Sequence, residues 1–176
     1  MDASDTQALE NKLAYRFANN DLLIEALSHS SYVNEQPLKT LRDNERLEFL
    51  GDAVLNLVVG HILMERLPQV SEGDLSRLRA QIVNESQLAT IARTIQLGKF
   101  IQLGKGEIQT NGRDKNSILA NALEAVIAAV YLDGGYDVAY DFIAQHFRSP
   151  LNVKAVSDVQ GDYKSRLQEL VQVTSE

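Results

Sequence analysis

Apolar residues recur at helical spacing along nearly the whole chain, and the pattern predicts a succession of helices. Leu9 and Leu13 stand at i, i+4 in a first helix that Asp5 or Thr6 could cap and that runs through Tyr15. Asn20 or Asp21 opens a second, Leu22 to Leu27, which ends at Ser28-His29-Ser30-Ser31 before a loop marked by Pro37. A long helix starts near Asn44 and stops before Pro68, a residue disfavoured in helix interiors. Ser71 is placed to cap a helix through about Val83, with Glu72 and Asp74 in its first turn. Asn84 caps another from Glu85 to Leu97, with Gly98 as the residue that closes it. A glycine-rich stretch, 98 to 113, leads to a second long apolar helix, Asp114 to Leu132, broken by Asp133-Gly134-Gly135. Tyr136 to Phe147 is the last core helix. The fold class is all-α.

The ends of this pattern divide the chain. Residues 1–150 form one helical domain, closed by Ser149-Pro150, and 151–161 look like a linker. Helical spacing resumes from Asp162 to Val173, with Tyr163, Leu167 and Leu170 on one face. An amphipathic helix with nothing of its own to pack against suggests that residues 162–176 begin a second, truncated domain.

The long helix from Asn44 is unusual for its acids. Glu45, Glu48 and Asp52 stand at i, i+3 and i+7, within one narrow arc of the helix surface. Three like charges so close repel one another unless a cation is present. Ala53-Val54-Leu55 and Leu57-Val58-Val59 follow, apolar all round as in a buried helix. Asn121 and Glu124 repeat the i, i+3 arrangement on the second long helix, again among apolar residues. Two such helices side by side would bring oxygen donors together in a bundle, and hard oxygen donors suit Mg²⁺ or Mn²⁺. A di-iron bundle would need Glu-x-x-His, which the chain lacks. Glu45 and Glu72 each lie in the first turn of a helix, where a dipole role explains them equally well.

Composition narrows the context. With 44% hydrophobic and 23% charged residues, the chain has an ordinary globular composition, and 176 residues suffice for one well-buried core. The absence of cysteine excludes disulfides, zinc–thiolate sites and thiol catalysis, and fits a reducing compartment. The first residues lack the basic and apolar regions of a signal peptide. The longest apolar stretch, Ala53 to Met64, is interrupted by Asn56 and His61 and reads as too short to span a membrane. A cytoplasmic protein with no membrane partner is expected. A formal net charge of −7 argues against nucleic-acid binding by bulk electrostatics, unless bound cations cancel the acids locally. The small echo Gln96-Leu97-Gly98-Lys99 and Gln102-Leu103-Gly104-Lys105 lacks P-loop spacing. It reads as two successive turns, with lysine contacts to phosphate as the functional alternative.

Asn44-Glu45-Arg46-Leu47-Glu48-Phe49-Leu50-Gly51-Asp52 resembles the signature of bacterial ribonuclease III. Leu22 to Tyr32, Glu72-Gly73-Asp74-Leu75-Ser76 and Ile118 to Ala125 are similar to three further blocks of that family, in order. Asp162 to Glu169 resembles the first helix of the double-stranded RNA-binding domain that usually follows. The resemblance implies a dimeric, helical endonuclease domain that cuts double-stranded RNA with divalent metal. The products it implies are 5′-phosphate and 3′-hydroxyl ends with short 3′ overhangs, in ribosomal RNA precursor and mRNA processing. By position it implies Mg²⁺, for which Mn²⁺ substitutes, on Glu48, Asn121 and Glu124, and Asp52 and Glu124 as catalytic carboxylates. It likewise implies Glu45 and Glu72 as acids around the cleavage site, and Phe49 as an aromatic inserted into the partner of a homodimer. The family pattern more often has Asp at position 121, so the uncharged Asn should weaken metal affinity. The alternative is a non-catalytic module of the same fold, bound to RNA or ribosome.

Overall fold

The computed structural model describes residues 3–37 and 41–152. Eight α-helices follow one another in that span: α1 Ala3–Leu13, α2 Asn20–Ala26, α3 Ser30–Asn34, α4 Glu45–Arg66, α5 Glu72–Ile82, α6 Glu85–Thr94, α7 Lys105–Gln109 and α8 Asn116–His146. Two short 3-10 turns, Leu97–Lys99 and Gly112–Asp114, interleave with them, and no strand is present among the described residues. The expected helix at 162–173 and most of the expected linker lie outside the described residues.

α4 and α8 form the core pair, and α6, α2 and α5 pack around them. Val54, Leu55, Val58, Val59 and Ile62 on α4 are buried, as is an unbroken apolar run from Ala125 to Val130 on α8. Both helices are long and apolar enough to cross a membrane by length and composition, which the interrupted stretch at 53–64 had not suggested. In the fold they bury against each other.

The caps explain most boundaries. The Ser71 hydroxyl accepts from the Asp74 N–H at 3.3 Å, and the Asn84 side chain accepts from the Gln87 N–H at 3.0 Å. Three places depart from the expected pattern. α6 ends at Thr94 rather than Leu97, because Gln96 takes a left-handed conformation (φ 57°) and turns the chain early. Gly98 therefore does not close the helix; its Cα faces the backbone of Arg113, where a Cβ would stand 2.5 Å from the carbonyl oxygen. Residues 28–31 do not merely end α2, since His29 caps a further short helix, α3. α1 ends at Leu13 rather than Tyr15, since Ala14 takes a left-handed conformation (φ 51°). The expected break after Leu132 is present: Gly135, at φ 82° and ψ −173°, separates α8 into two helical segments.

Side chains hold the irregular segments. Asp133 accepts from the Tyr15 hydroxyl at 2.7 Å and from the Ala18 and Asn19 N–H groups at 2.9 Å each, which ties the kink to the α1–α2 loop. The Arg113 guanidinium donates to the carbonyls of Gly98, Lys99 and Ile101, at 2.7, 3.1 and 2.8 Å, and organises the glycine-rich segment. Leu151 is buried, so the domain's core reaches one residue past the expected boundary at 150.

Candidate active site

The start of α4 is fixed by a buried polar residue. Asn44 donates its backbone N–H to the Ser28 carbonyl at 2.9 Å and its side-chain amide to the Ala26 carbonyl at 3.2 Å. Glu45, Glu48 and Asp52 project from the first two turns that follow. Between Glu48 and Asp52, Gly51 lies against the α8 backbone at Glu124. That close approach brings the two acidic segments together.

Glu45, Glu48, Asp52, Asn121 and Glu124 all line one open cleft of about 660 Å³, together with His29, Ser30, Asn44 and Phe49. No lysine or arginine is among these lining residues. The helical spacing had anticipated the convergence but not the exposure. Glu45 and Asp52 are exposed, and only Glu48, Asn121 and Glu124 are partly buried. α4 turns its acidic arc to solvent and buries the opposite side, so these carboxylates border the core without entering it.

The electrostatics follow from this crowding. The Glu124 carboxyl is pushed up to about 7, first by burial and then by the charges of Asp52 and Glu48. Glu48 is raised by burial and by Glu45, and Asp52 adds to this; a hydrogen bond from the Asn121 amide opposes it. Asn56, one turn beyond Asp52, donates to the Asp52 Oδ1 at 2.8 Å and to its carbonyl at 2.9 Å, fixing that carboxylate. Asn56, His29, Ser30 and Asn44 were not singled out by spacing. Their roles depend on loops and on contacts that helical periodicity does not encode.

The donor set suits a hard cation. It offers oxygen ligands, no competing ammonium or guanidinium, and carboxyls held above their ordinary range by burial and then by mutual repulsion. Among the described residues, no three Asp, Glu or His side chains stand close enough to enclose an ion by themselves. Two carboxylates with one amide and retained waters match the way Mg²⁺ is commonly held. Asn121, whose amide N–H donates to Glu48, would have to turn to present its amide oxygen instead.

The profile of the Ribonuclease-III-like family matches residues 19–151. The chain belongs to the ribonuclease III family. It is 51% identical over 166 residues to Ribonuclease 3 of Myxococcus xanthus, covering 93% of this chain and 63% of that protein. To Ribonuclease 3 of Syntrophobacter fumaroxidans it is 48% identical over 170 residues, covering 94% and 70%. The chain thus spans about two thirds of the length of these relatives. A solved nuclease domain of ribonuclease III from Campylobacter jejuni superposes with a TM-score of 0.76 at 44% identity, covering 82% of this chain and 96% of that one. A Dicer from Giardia intestinalis shares the fold, with a TM-score of 0.61 at 23% identity.

Two residues of the ribonuclease III pattern stand apart from the cleft's acids. Glu72 does not line the cleft of its own chain; it is exposed at the first residue of α5 and accepts from the Ser76 hydroxyl at 2.9 Å. Phe49 lies at the cleft's edge and is 82% exposed. Leu57 and Met64 are exposed further along α4, within about 80° of the same direction at 100° per residue. α4 therefore carries acids along one strip, with an exposed apolar strip beside them.

Proposed function

We propose that this chain is the nuclease portion of a metal-dependent endoribonuclease that cuts double-stranded RNA as a homodimer. Its products are 5′-phosphate and 3′-hydroxyl ends with short 3′ overhangs, and it acts in ribosomal RNA precursor and mRNA processing in the cytoplasm. One observation carries the reading. Glu48, Asp52 and Glu124 meet from two core helices in one open cleft lined by no lysine or arginine.

Glu48, Asn121 and Glu124 would hold Mg²⁺, with Mn²⁺ as a substitute. When bound, the cation would make a coordinated water more acidic and relieve charge on the phosphate oxygens. Asp52 is steadied by Asn56 and serves as the base that takes the water's proton. Glu45 stands exposed at the rim, where it would meet the approaching strand only with a cation between them. The exposed Phe49, Leu57 and Met64 support a second copy of the chain as partner, since large apolar side chains in one strip mark an interface. The Campylobacter domain is itself described as having a region involved in dimer formation. A two-fold dimer would present two equivalent clefts to the two antiparallel strands of a duplex.

End-labelled duplex RNA, incubated with the chain in Mg²⁺ or in chelator, tests the reading. Cleavage in Mg²⁺ alone is expected. Binding without cleavage in any divalent metal would instead assign a non-catalytic RNA-binding module.

A further inference from the structure

His29 lines the acidic cleft and is the one lining side chain there, among the described residues, that can carry positive charge. Its ring is locked from one side. Nδ1 accepts from the Ser31 N–H at 3.2 Å and lies 2.8 Å from the Ser31 hydroxyl oxygen. That hydroxyl in turn accepts from the Gly104 N–H at 2.9 Å, which leaves its own proton to donate to Nδ1. With Nδ1 an acceptor, the neutral ring carries its proton on Nε2. Nε2 has no hydrogen-bond partner among the described residues. Glu107, near the ring, has its carboxylate paired with Lys115 at 2.7 Å.

The other nitrogen donors of the cleft are engaged. The Asn44 amide is held by the Ala26 carbonyl, and the Asn121 amide donates to Glu48. A polyanionic strand entering this cleft meets four carboxylates and few donors. We propose that His29, through Nε2–H, binds a non-bridging oxygen of a backbone phosphate flanking the scissile one, with Ser31 and Gly104 as the groups that position its ring. This rests on the nuclease reading and adds a substrate-binding residue to it.

The ring also caps α3, so the test must separate binding from folding. His29→Asn keeps a short capping acceptor for the Ser31 N–H and removes the Nε2 donor. With the chain on a duplex in saturating Mg²⁺, KM should rise about tenfold, the loss of one hydrogen bond to a charged group, with kcat changed less than about threefold and the melting temperature unchanged. Neutralising single phosphates as methylphosphonates should raise the wild-type KM similarly at one position per strand, and His29→Asn should be insensitive there. An unchanged KM in His29→Asn, or a wild type indifferent to every methylphosphonate position, overturns the proposal while leaving the nuclease reading in place. Sensitivity to a 2′-deoxy substitution in place of the methylphosphonate also overturns it. A wild-type chain that cuts no duplex removes the nuclease reading, and the role of His29 with it.

Discussion

Gly51 and Glu124 meet backbone to backbone: a Cβ on Gly51 would stand 1.9 Å from the Glu124 carbonyl oxygen and 2.4 Å from its carbonyl carbon. No side-chain rearrangement relieves such a clash, because the obstacle is the α8 main chain. Gly51→Ala must push α4 and α8 apart where Glu48, Asp52 and Glu124 converge. We expect a loss of stability of about 3 kcal/mol, at the upper end of overpacking in a core, and a larger proportional loss of cleavage. Urea denaturation and cleavage of one duplex would measure both. An unchanged midpoint would mean that the helices are not in close contact at Gly51.

Much of this arrangement was legible in the sequence. The i, i+3, i+7 spacing of Glu45, Glu48 and Asp52 and the i, i+3 pair Asn121 and Glu124 place the acids on two helix faces, and the structure joins those faces in one cleft. The apolar runs beside them identified the core pair α4 and α8. What spacing misjudged was depth: a helix apolar on most sides can still turn one strip to solvent, and Asp52 lies on that strip. Local conformation escaped as well. Nothing in composition marks Gln96 as left-handed, and α3 owes its start to a histidine cap. His29, Ser30 and Asn56 joined the site through such contacts.

The raised Glu124 carboxyl makes the metal-free protein sensitive to pH. In the folded state it holds its proton up to about 7, against an ordinary value of 4.5. The folded form therefore binds the proton more tightly than the unfolded chain between those values. The stability this contributes is fully present below about pH 4.5 and is lost as pH rises through about 7. In chelator, the denaturant midpoint should fall between pH 5 and pH 8. Glu124→Gln, neutral throughout, should flatten much of that slope and be more stable than wild type at pH 8. A slope that Glu124→Gln leaves intact would assign the pH dependence to other groups.

Divalent metal should act in the opposite sense. A cation held by Glu48 and Glu124 would offset both the burial and the mutual repulsion that raise these carboxyls. At about 100 times its dissociation constant it should add about 2.7 kcal/mol of stability. Thermal melts in Mg²⁺ and in chelator would show this at neutral pH. Coincident melts would remove the metal from the cleft.

The apolar strip of α4 predicts the assembly. Phe49 is 82% exposed in the isolated chain, an unusual setting for a large aromatic. If it inserts into a second copy it is a hot spot, and Phe49→Ala should weaken the dimer by about 2 kcal/mol, roughly thirtyfold in its dissociation constant. Sedimentation across a concentration series would measure this. A dimer of unaltered affinity would place the interface elsewhere.

Asn121 separates mechanism from family membership, because it lines the cleft beside Glu48 and Glu124, the carboxylates proposed to hold the cation. In the structure it donates to Glu48 and so lowers the cost of that charge without a metal. Asn121→Asp exchanges a donor for a third carboxylate. Without metal the variant should be less stable than wild type, because a bond is lost and a repulsion gained. With metal the order should reverse in function: the added charge should lower the Mg²⁺ concentration for half-maximal cleavage. Asn121→Ala removes the bond to Glu48 and the candidate ligand together, so it should raise that concentration. Glu124→Gln, which loses a charge and a ligand at once, should nearly abolish cleavage while the fold persists. Rate against Mg²⁺ on one duplex, beside melts in chelator, reads all three variants. If Asn121→Asp and Asn121→Ala shift the melts but leave the Mg²⁺ dependence where it was, Asn121 serves Glu48 alone, and the cation would be held by Glu48 and Glu124 with water in the remaining positions.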